Sequence, residues 1–196
     1  CYLPLEDAQA PVYTKPKKEG QPLVQGDELL VQVSREAVKT KQPSVTTKIS
    51  MNGKYLVFTI GNGKLGCSGK LSGAEKTRLR QWGQEQKLPE DLGMIIRTNA
   101  SGVAEEDLNT EFVRLMEQYT YLKGPATHRT ACSCVLRARP AYLSSVLGSR
   151  SNFLKEILTD DKKIYEELSA FLQEVLPDYY YPLELKHPEQ YTRPDI

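Results

Sequence analysis

An arginine and a threonine at the end of a predicted strand are the residues of this chain best suited to hold an anion. Residues 93–96 form a short apolar run with two isoleucines between turn residues, which is typical of a buried strand. Arg97 and Thr98 follow it directly, and a turn at 99–102 comes next. A guanidinium and a hydroxyl fixed at a strand end can bind a phosphate or a carboxylate. On residue types alone, the favoured interpretation is a surface salt bridge between Arg97 and the acidic run 105–107.

The charge distribution along the chain favours a polyanionic partner. The 196 residues carry a formal net charge of only +1, which by itself predicts no partner. Residues 35–80, however, contain ten Lys and Arg side chains against two Glu. A local excess of this size indicates a surface for a polyanion such as nucleic acid. The alternative is that acidic residues from elsewhere in the chain neutralise the same surface.

Catalytic and metal chemistry are not indicated by any motif. The chain has no Walker loop, no nucleophile motif, and no convincing set of carboxylates for metal-ion catalysis. Cys132 and Cys134 could form half of a metal site, but the second half is missing because neither histidine repeats a ligand spacing. We therefore predict no catalytic residue, no metal site and no cofactor within these residues, and we expect reduced, partly buried cysteines.

The chain lacks a run long enough to span a membrane and lacks a secretory signal, so we expect a cytoplasmic protein. It begins at Cys1 without an initiating Met, and we expect it to be a fragment of a longer protein.

Hydrophobic periodicity and turn residues predict a mixed α+β fold. Asn52-Gly53 is a strong hairpin signal, since both residues tolerate positive φ. Ser72 is a candidate N-cap, with Glu75 three residues later. A segment at 65–71 is too rich in glycine for a plain buried strand. Besides the strand at 93–96, the predicted strands are 29–33, 45–51, 54–60 and 153–160, with an extended tail at 179–186. The predicted helices are 72–86, one beginning at 105, a short stretch at 142–147, and 161–176.

The order of these motifs resembles the amino-terminal half of the ribonuclease E/G family. The resemblance is carried by Gly26–Val33, Lys41, Thr46-Thr47, Ile49-Ser50, Gly53–Val57, Ser72-Gly73, Leu88–Glu90 with Gly93–Thr98, and Lys155–Asp160. It covers nearly the whole chain and is strongest from Gly26 to Gly102.

The resemblance implies a fold and a domain organisation. Residues 1–48 would be part of an S1-type OB-fold, a partial β-barrel that binds RNA. Residues 49–150 would form a mixed α/β region that senses the RNA 5′ end, and residues 151–196 would begin an RNase H-like part. The catalytic carboxylates of the family lie in a DNase-I-like domain farther along the chain.

The resemblance also implies a function. Members of the family are single-strand-specific, Mg²⁺-dependent endoribonucleases that process ribosomal and transfer RNA precursors and turn over messenger RNA. This chain would bind single-stranded RNA and sense its 5′-monophosphate, while the full-length enzyme would need Mg²⁺ and could form a homo-oligomer. The alternative is a non-catalytic RNA-binding or ribosome-associated module.

The resemblance also implies roles for individual residues that match the family's motifs. Arg97 and Thr98 fall on family positions that clasp the 5′-monophosphate, and Gly53 and Val57 fall on positions that line the same pocket. Tyr2 falls where an aromatic ring stacks on a base, and Lys41 falls where a lysine contacts RNA. Where the family often has an arginine pair, this chain has Ser68-Gly69-Lys70. Lys70 can supply a point charge, and a bidentate contact is lost if Gly69 takes the first position of the pair.

Overall fold

The computed structural model describes residues 1–15, 17, 21–137, 140, 142–143, 146, 156–175 and 183–186. It confirms the predicted α+β class. Residue contacts divide the chain into two compact units, Cys1–Arg137 and Ala138–Ile196. The three-part division expected at residues 48/49 and 150/151 stays a prediction. The strands are β1 Gln32–Arg35, β2 Ser44–Thr46, β3 Ser50–Asn52, β4 Leu56–Ile60, β5 Leu65–Cys67, β6 Leu92–Ile96, β7 Ile157–Thr159 and β8 Leu183–Leu185, and the α-helices are α1 Gly73–Glu85, α2 Glu105–Lys123 and α3 Lys162–Val175.

A four-stranded sheet with the order β3-β4-β6-β5 forms the centre of the first unit. The strands β3, β4 and β6 pair antiparallel, whereas β5 and β6 are parallel. Parallel neighbours need a crossover connection, and α1 supplies it. As a result β5 and β6 end at the same edge of the sheet.

One face of this sheet packs against α1 and α2. The side chains of Leu56, Phe58, Met94 and Ile96 on this face are fully buried. Phe112 of α2 makes edge-to-face contacts with Phe58, at 5.5 Å between ring centroids, and with Trp82 of α1, at 6.2 Å. Aromatic pairs in this geometry add stability beyond the area they bury. The two helices are thus fixed relative to the strands that they cover.

The opposite face of the sheet is partly open. The strand register places Asn52, Val57, Ile95 and Gly66 in one row across the four strands. Val57 is half-buried, and Ile95 keeps 43% of its surface exposed. Within this row Val57 and Ile95 are apolar neighbours, and Gly66 adds no side chain beside Ile95.

Residues 1–48 form a smaller β structure. The strands β1 and β2 pair antiparallel, and Tyr2 adds a parallel bridge to Ser44. The Gln32 side chain accepts from the Ser50 N–H at 2.9 Å and donates to the Ser50 carbonyl at 3.0 Å, so it extends the larger sheet at β3. The described part of this region contains no closed barrel, and its OB-type assignment stays a prediction.

Two predicted strands differ from the structure. The run 45–51 is divided into β2 and β3, because the buried Thr47 hydroxyl bonds the carbonyls of Asp7 and Gln9 instead of continuing the sheet. The strand predicted at 29–33 covers only part of this range in the structure. In the structure Leu30 is buried while Val31 and Val33 are exposed, because β1 begins later, at Gln32.

The second unit has a strand–helix–strand arrangement. The strands β7 and β8 pair in parallel, and α3 lies between them in sequence. Asp161 accepts from the N–H groups of Lys163 and Ile164 at the start of α3. The apolar side of the helix buries Leu168 and Phe171 together with Leu143. The predicted helix at 161–176 is confirmed over 162–175, whereas residues 153–155 and 179–182 of the neighbouring predicted strands lie outside the described residues.

No helix among the described residues is both long and apolar enough to cross a membrane.

Candidate functional site

Three chain segments meet at the end of β6, where Arg97 follows the strand. Ser68 follows β5 and donates its backbone N–H to the Ile96 carbonyl at 2.8 Å. The loop 53–56 leads into β4. The backbone N–H of Arg97 donates to the carbonyl of Tyr55 in this loop, at 2.8 Å. The sheet therefore brings together side chains that are far apart in the sequence. We call Arg97, Thr98, Ser68 and Gly53 the strand-end cluster.

The Arg97 guanidinium is half-buried and points toward the loop 53–56. Its Nη1 donates to the Gly53 carbonyl oxygen at 2.8 Å. In the described part of the chain, no carboxylate lies within ion-pair distance of Arg97. The salt bridge to 105–107 that residue types alone favoured is therefore not made. A held but unpaired guanidinium retains donors for an anion.

The Thr98 hydroxyl lies beside a second hydroxyl. Thr98 Oγ1 and Ser68 Oγ are 2.8 Å apart, and either can be the donor. Ser68 Oγ also accepts from the Lys70 backbone N–H at 3.3 Å. If Ser68 donates to Thr98, the Thr98 proton is left to donate to a ligand beside Arg97. No sequence pattern predicted a role for Ser68; its position directly after a strand parallel to β6 is the signal.

The helix α1 anchors the turn that contains Thr98. Residues Thr98–Ala100 form a 3-10 turn, and Ala100 is fully buried. The N–H of Gly102, which has φ +72°, donates to Glu75 at 2.7 Å, and Arg78 donates to the Val103 carbonyl at 3.3 Å. The Arg78 side chain, and then the Gly102 N–H, lower the pKa of Glu75 below its usual value. Glu75 therefore stays ionised at neutral pH, and its carboxylate holds this turn. Ser72 caps α1 as predicted, but the Glu75 side chain does not complete a capping box with it.

Gly53 is required for a different reason from the one that its sequence pattern suggested. Asn52-Gly53 predicted a turn with positive φ, but neither residue has positive φ, and Lys54 and Tyr55 form the tip of the hairpin. A Cβ on Gly53 would lie 2.2 Å from Glu111 Oε1 and 2.4 Å from Glu111 Cδ. The position must be glycine because a carboxylate from α2 packs flat against it.

Glu111 is the most informative residue that the sequence analysis missed. Only 8% of its surface is exposed. Its carboxylate accepts the backbone N–H groups of Lys54, Tyr55 and Leu56, each at 2.8 Å. A signal was present, since Glu111 lies three residues after Leu108 and four before Leu115, on the apolar side of α2. A carboxylate on such a face needs buried donors.

The remaining predicted site residues, Val57, Lys70, Tyr2 and Lys41, lie in different parts of the fold. Val57 lies on the open sheet face, one residue after the loop that holds Arg97. Lys70 is exposed in the turn after β5. Tyr2, with 61% of its surface exposed, and the exposed Lys41 belong to the β1–β2 part of the fold. The structure therefore brings Gly53, Val57, Arg97 and Thr98 together, whereas Tyr2 and Lys41 belong to a separate sheet.

Most cations of the basic segment face solvent. Lys48 pairs with Asp7 and Arg78 with Glu75. Six of the ten are exposed and form no ion pair within the described ranges: Arg35, Lys39, Lys41, Lys64, Lys70 and Arg80. These side chains keep the excess positive charge that the sequence predicts.

The cysteines and acidic residues give no metal site in the described residues. No group of three or more His, Cys, Asp or Glu side chains there could hold a metal ion. Cys132 and Cys134 are exposed, as is Cys1, and only Cys67 is half-buried. The expectation of partly buried cysteines therefore holds for Cys67 alone, because the others lie in loops outside the core.

Comparison of the sequence with known proteins identifies a family. The profile of the Ribonuclease E/G family matches residues 50–193. Ribonuclease G of Salmonella typhimurium is 33% identical over 166 residues, which are 82% of this chain and 33% of that protein. Ribonuclease E of Escherichia coli K12 is 30% identical over 152 residues, 74% of this chain and 14% of that protein. The chloroplastic Ribonuclease E/G-like protein of Arabidopsis thaliana is 26% identical over 170 residues, 82% of this chain and 17% of that protein. The chain thus spans a third or less of each of these relatives, and it belongs to the Ribonuclease E/G family.

Proposed function

We propose that this chain binds single-stranded RNA and holds its 5′-monophosphate at the strand-end cluster. The observation that carries the proposal is the Arg97 guanidinium, fixed by the Gly53 carbonyl and free of any carboxylate partner in the described part of the chain. Thr98, the next residue of the chain, carries a hydroxyl 2.8 Å from the Ser68 hydroxyl. Together they offer a planar cation and a hydroxyl donor to one phosphate group.

The charge of the terminal phosphate supplies the preference for the 5′ end. A terminal monophosphate carries about −1.5 to −2 charges at neutral pH, like a phosphorylated side chain, whereas an internal phosphodiester carries one. A fixed guanidinium therefore favours the terminal group. The open row of Val57 and Ile95 gives the first nucleotide an apolar surface beside the phosphate. A triphosphate adds bulk and charge that a site for one phosphate excludes.

The rest of the RNA is proposed to follow the exposed cations of residues 35–80. Lys70 would add a point charge close to the cluster, while Lys41 and Tyr2 would contact RNA farther along, the latter by stacking. Contacts of this kind are sequence-independent, and their strength falls as salt rises. They supply affinity, whereas the cluster supplies the choice of end.

We further propose that the chain is part of a longer, single-strand-specific endoribonuclease of RNA processing and decay, acting in the cytoplasm. Homo-oligomer formation belongs to the same proposal. Its relatives are named ribonucleases and are several times longer than the matched region. The Mg²⁺ of such an enzyme is assigned to none of the described residues, since they contain no group of three or more His, Cys, Asp or Glu side chains that could hold it.

Binding of one RNA sequence with three different 5′ ends tests the proposed function. We expect the chain to bind a 5′-monophosphate oligonucleotide about tenfold more tightly than its 5′-hydroxyl form, which corresponds to one charge-assisted hydrogen bond. The triphosphate form should bind more weakly than the monophosphate, and all three affinities should fall as salt rises. Fluorescence anisotropy measures each constant. Equal affinity for the three ends would contradict end recognition and favour a general RNA-binding module.

Ser68→Ala should weaken the preference for a monophosphate without unfolding the chain. The variant removes the neighbour that orients the Thr98 hydroxyl but leaves the guanidinium in place. We expect the ratio of the 5′-hydroxyl to the 5′-monophosphate dissociation constants to fall about threefold to tenfold, as for loss of one ordinary hydrogen bond. Ser68→Thr keeps a hydroxyl and should retain most of the ratio. A ratio unchanged in Ser68→Ala would show that the hydroxyl pair has no part in binding.

A further inference from the structure

We infer that Glu111 is the positioning residue of this site: through two peptide groups of the loop 53–56, its buried carboxylate fixes Arg97 for the 5′-phosphate. The inference rests on the proposed function and assigns a part of it to a residue on α2 that does not itself touch the ligand.

Two peptide groups connect the two side chains directly. In the peptide between residues 53 and 54, the Gly53 carbonyl accepts from Arg97 Nη1 at 2.8 Å. The N–H of the same peptide, on Lys54, donates to Glu111 Oε2 at 2.8 Å. The peptide therefore lies between the carboxylate and the guanidinium with its dipole aligned to both charges.

The second peptide repeats the arrangement two residues later. The Tyr55 carbonyl accepts the Arg97 backbone N–H at 2.8 Å, and the N–H of that peptide, on Leu56, donates to Glu111 Oε1 at 2.8 Å. One peptide thus holds the Arg97 side chain and the other holds its backbone. Hydrogen bonds in such chains polarise and strengthen one another in a low-dielectric setting.

The surroundings of Glu111 make its geometry rigid. Its side chain is 91% buried, and its carboxylate packs against the Cα of Gly53. A third N–H, from Tyr55, donates to Oε1, and Arg114 Nη2 approaches Oε2 at 3.7 Å. The neighbouring residues Leu108 and Leu115 of α2 are fully buried. The loop cannot rotate a peptide without leaving a buried charge with fewer partners, which is costly.

The consequence is a fixed direction for the guanidinium. A free Arg side chain samples many rotamers, and ordering it on binding reduces affinity. Because Nη1 is already held by the Gly53 carbonyl, the side chain loses this conformational entropy on folding and not on RNA binding. Glu111 therefore affects the choice of 5′ end, while general RNA affinity comes from exposed cations elsewhere.

The test compares Glu111→Gln with Leu115→Val, using full-length chain and 5′-hydroxyl and 5′-monophosphate forms of one oligonucleotide. Glutamine keeps the size of the side chain but presents an amide NH₂ group to backbone N–H donors. We expect the ratio of the two dissociation constants to fall at least threefold in Glu111→Gln, with 5′-hydroxyl affinity within twofold of wild type. Leu115→Val perturbs the same helix but removes no hydrogen bond to the loop, and its ratio should stay unchanged.

The outcomes separate this inference from the proposed function. If the wild-type chain binds the 5′-hydroxyl and 5′-monophosphate forms equally, the proposed function fails. If the wild-type chain prefers the 5′-monophosphate form and a folded Glu111→Gln variant keeps the same preference, the positioning role alone is overturned. If Glu111→Gln does not fold, amide hydrogen exchange of the wild type decides: binding of a 5′-phosphorylated dinucleotide should slow exchange at Lys54 and Leu56 at least threefold relative to the 5′-hydroxyl form. Equal exchange with both ligands would overturn the inference.

Discussion

Gly53→Ala is expected to be strongly destabilising although it adds a single methyl group. The new Cβ would lie 2.2 Å from Glu111 Oε1, so the carboxylate must leave its three N–H donors. Overpacking together with unsatisfied buried N–H groups should cost about 2–4 kcal/mol of the free energy of unfolding. Urea denaturation followed by circular dichroism measures the change. The 5′-monophosphate preference should be lost as well, because the Gly53 carbonyl would no longer hold Arg97.

Gly69→Ala is the matched control for this variant. A Cβ on Gly69 meets no atom within 4 Å, and the residue does not have positive φ. Its free energy of unfolding should stay within about 0.5 kcal/mol of wild type, as for ordinary surface substitutions. Similar stabilities for Gly53→Ala and Gly69→Ala would contradict the close packing of Glu111 on the loop.

Arg97→Ala is expected to have the largest effect on binding. It removes the only guanidinium of the strand-end cluster, and hydrogen bonds to charged groups contribute about 1.5–3 kcal/mol. Affinity for 5′-monophosphate RNA should fall about tenfold, to the level of 5′-hydroxyl RNA. Arg97→Lys keeps the charge but loses the planar, two-donor geometry, and should give an intermediate preference. Fluorescence anisotropy on both RNA forms measures each variant.

Arg80→Ala separates end recognition from general charge. Arg80 is exposed on α1 and makes no ion pair with any described residue. Its loss should lower the affinity for both RNA forms by the same factor and leave their ratio unchanged. A ratio that survives in Arg97→Ala but disappears in Arg80→Ala would place the 5′-phosphate elsewhere.

Much of the fold follows from local sequence patterns. Ser72 and the acidic first turn at 105–107 predicted the starts of α1 and α2, and both are confirmed. The apolar run before Arg97 predicted β6. These elements depend on residues near in sequence. In contrast, the glycine-rich segment 65–71 was not expected to be a plain strand. It forms the short edge strand β5, because pairing with β6 compensates for the weak propensity of Gly66.

The arrangement around Arg97 depends on contacts that local patterns do not contain. The family resemblance predicted Gly53, Val57, Arg97 and Thr98 as site residues, and that assignment stays a prediction. Asn52-Gly53 predicted the wrong turn, because Glu111, far along the chain, fixes the loop instead. Ser68 meets Thr98 only because β5 and β6 are parallel. Such long-range pairs need the strand order, which no short segment specifies.

The most direct test of the central claim is a residue-resolved NMR titration with a dinucleotide that carries either a 5′-monophosphate or a 5′-hydroxyl. If the strand-end cluster holds the terminal phosphate, the monophosphate form should shift the amide signals of residues 53–57, 68–70 and 97–99, and the hydroxyl form should shift them much less. Equal shifts with both dinucleotides, or monophosphate-specific shifts confined to other residues, would contradict the assignment of this site.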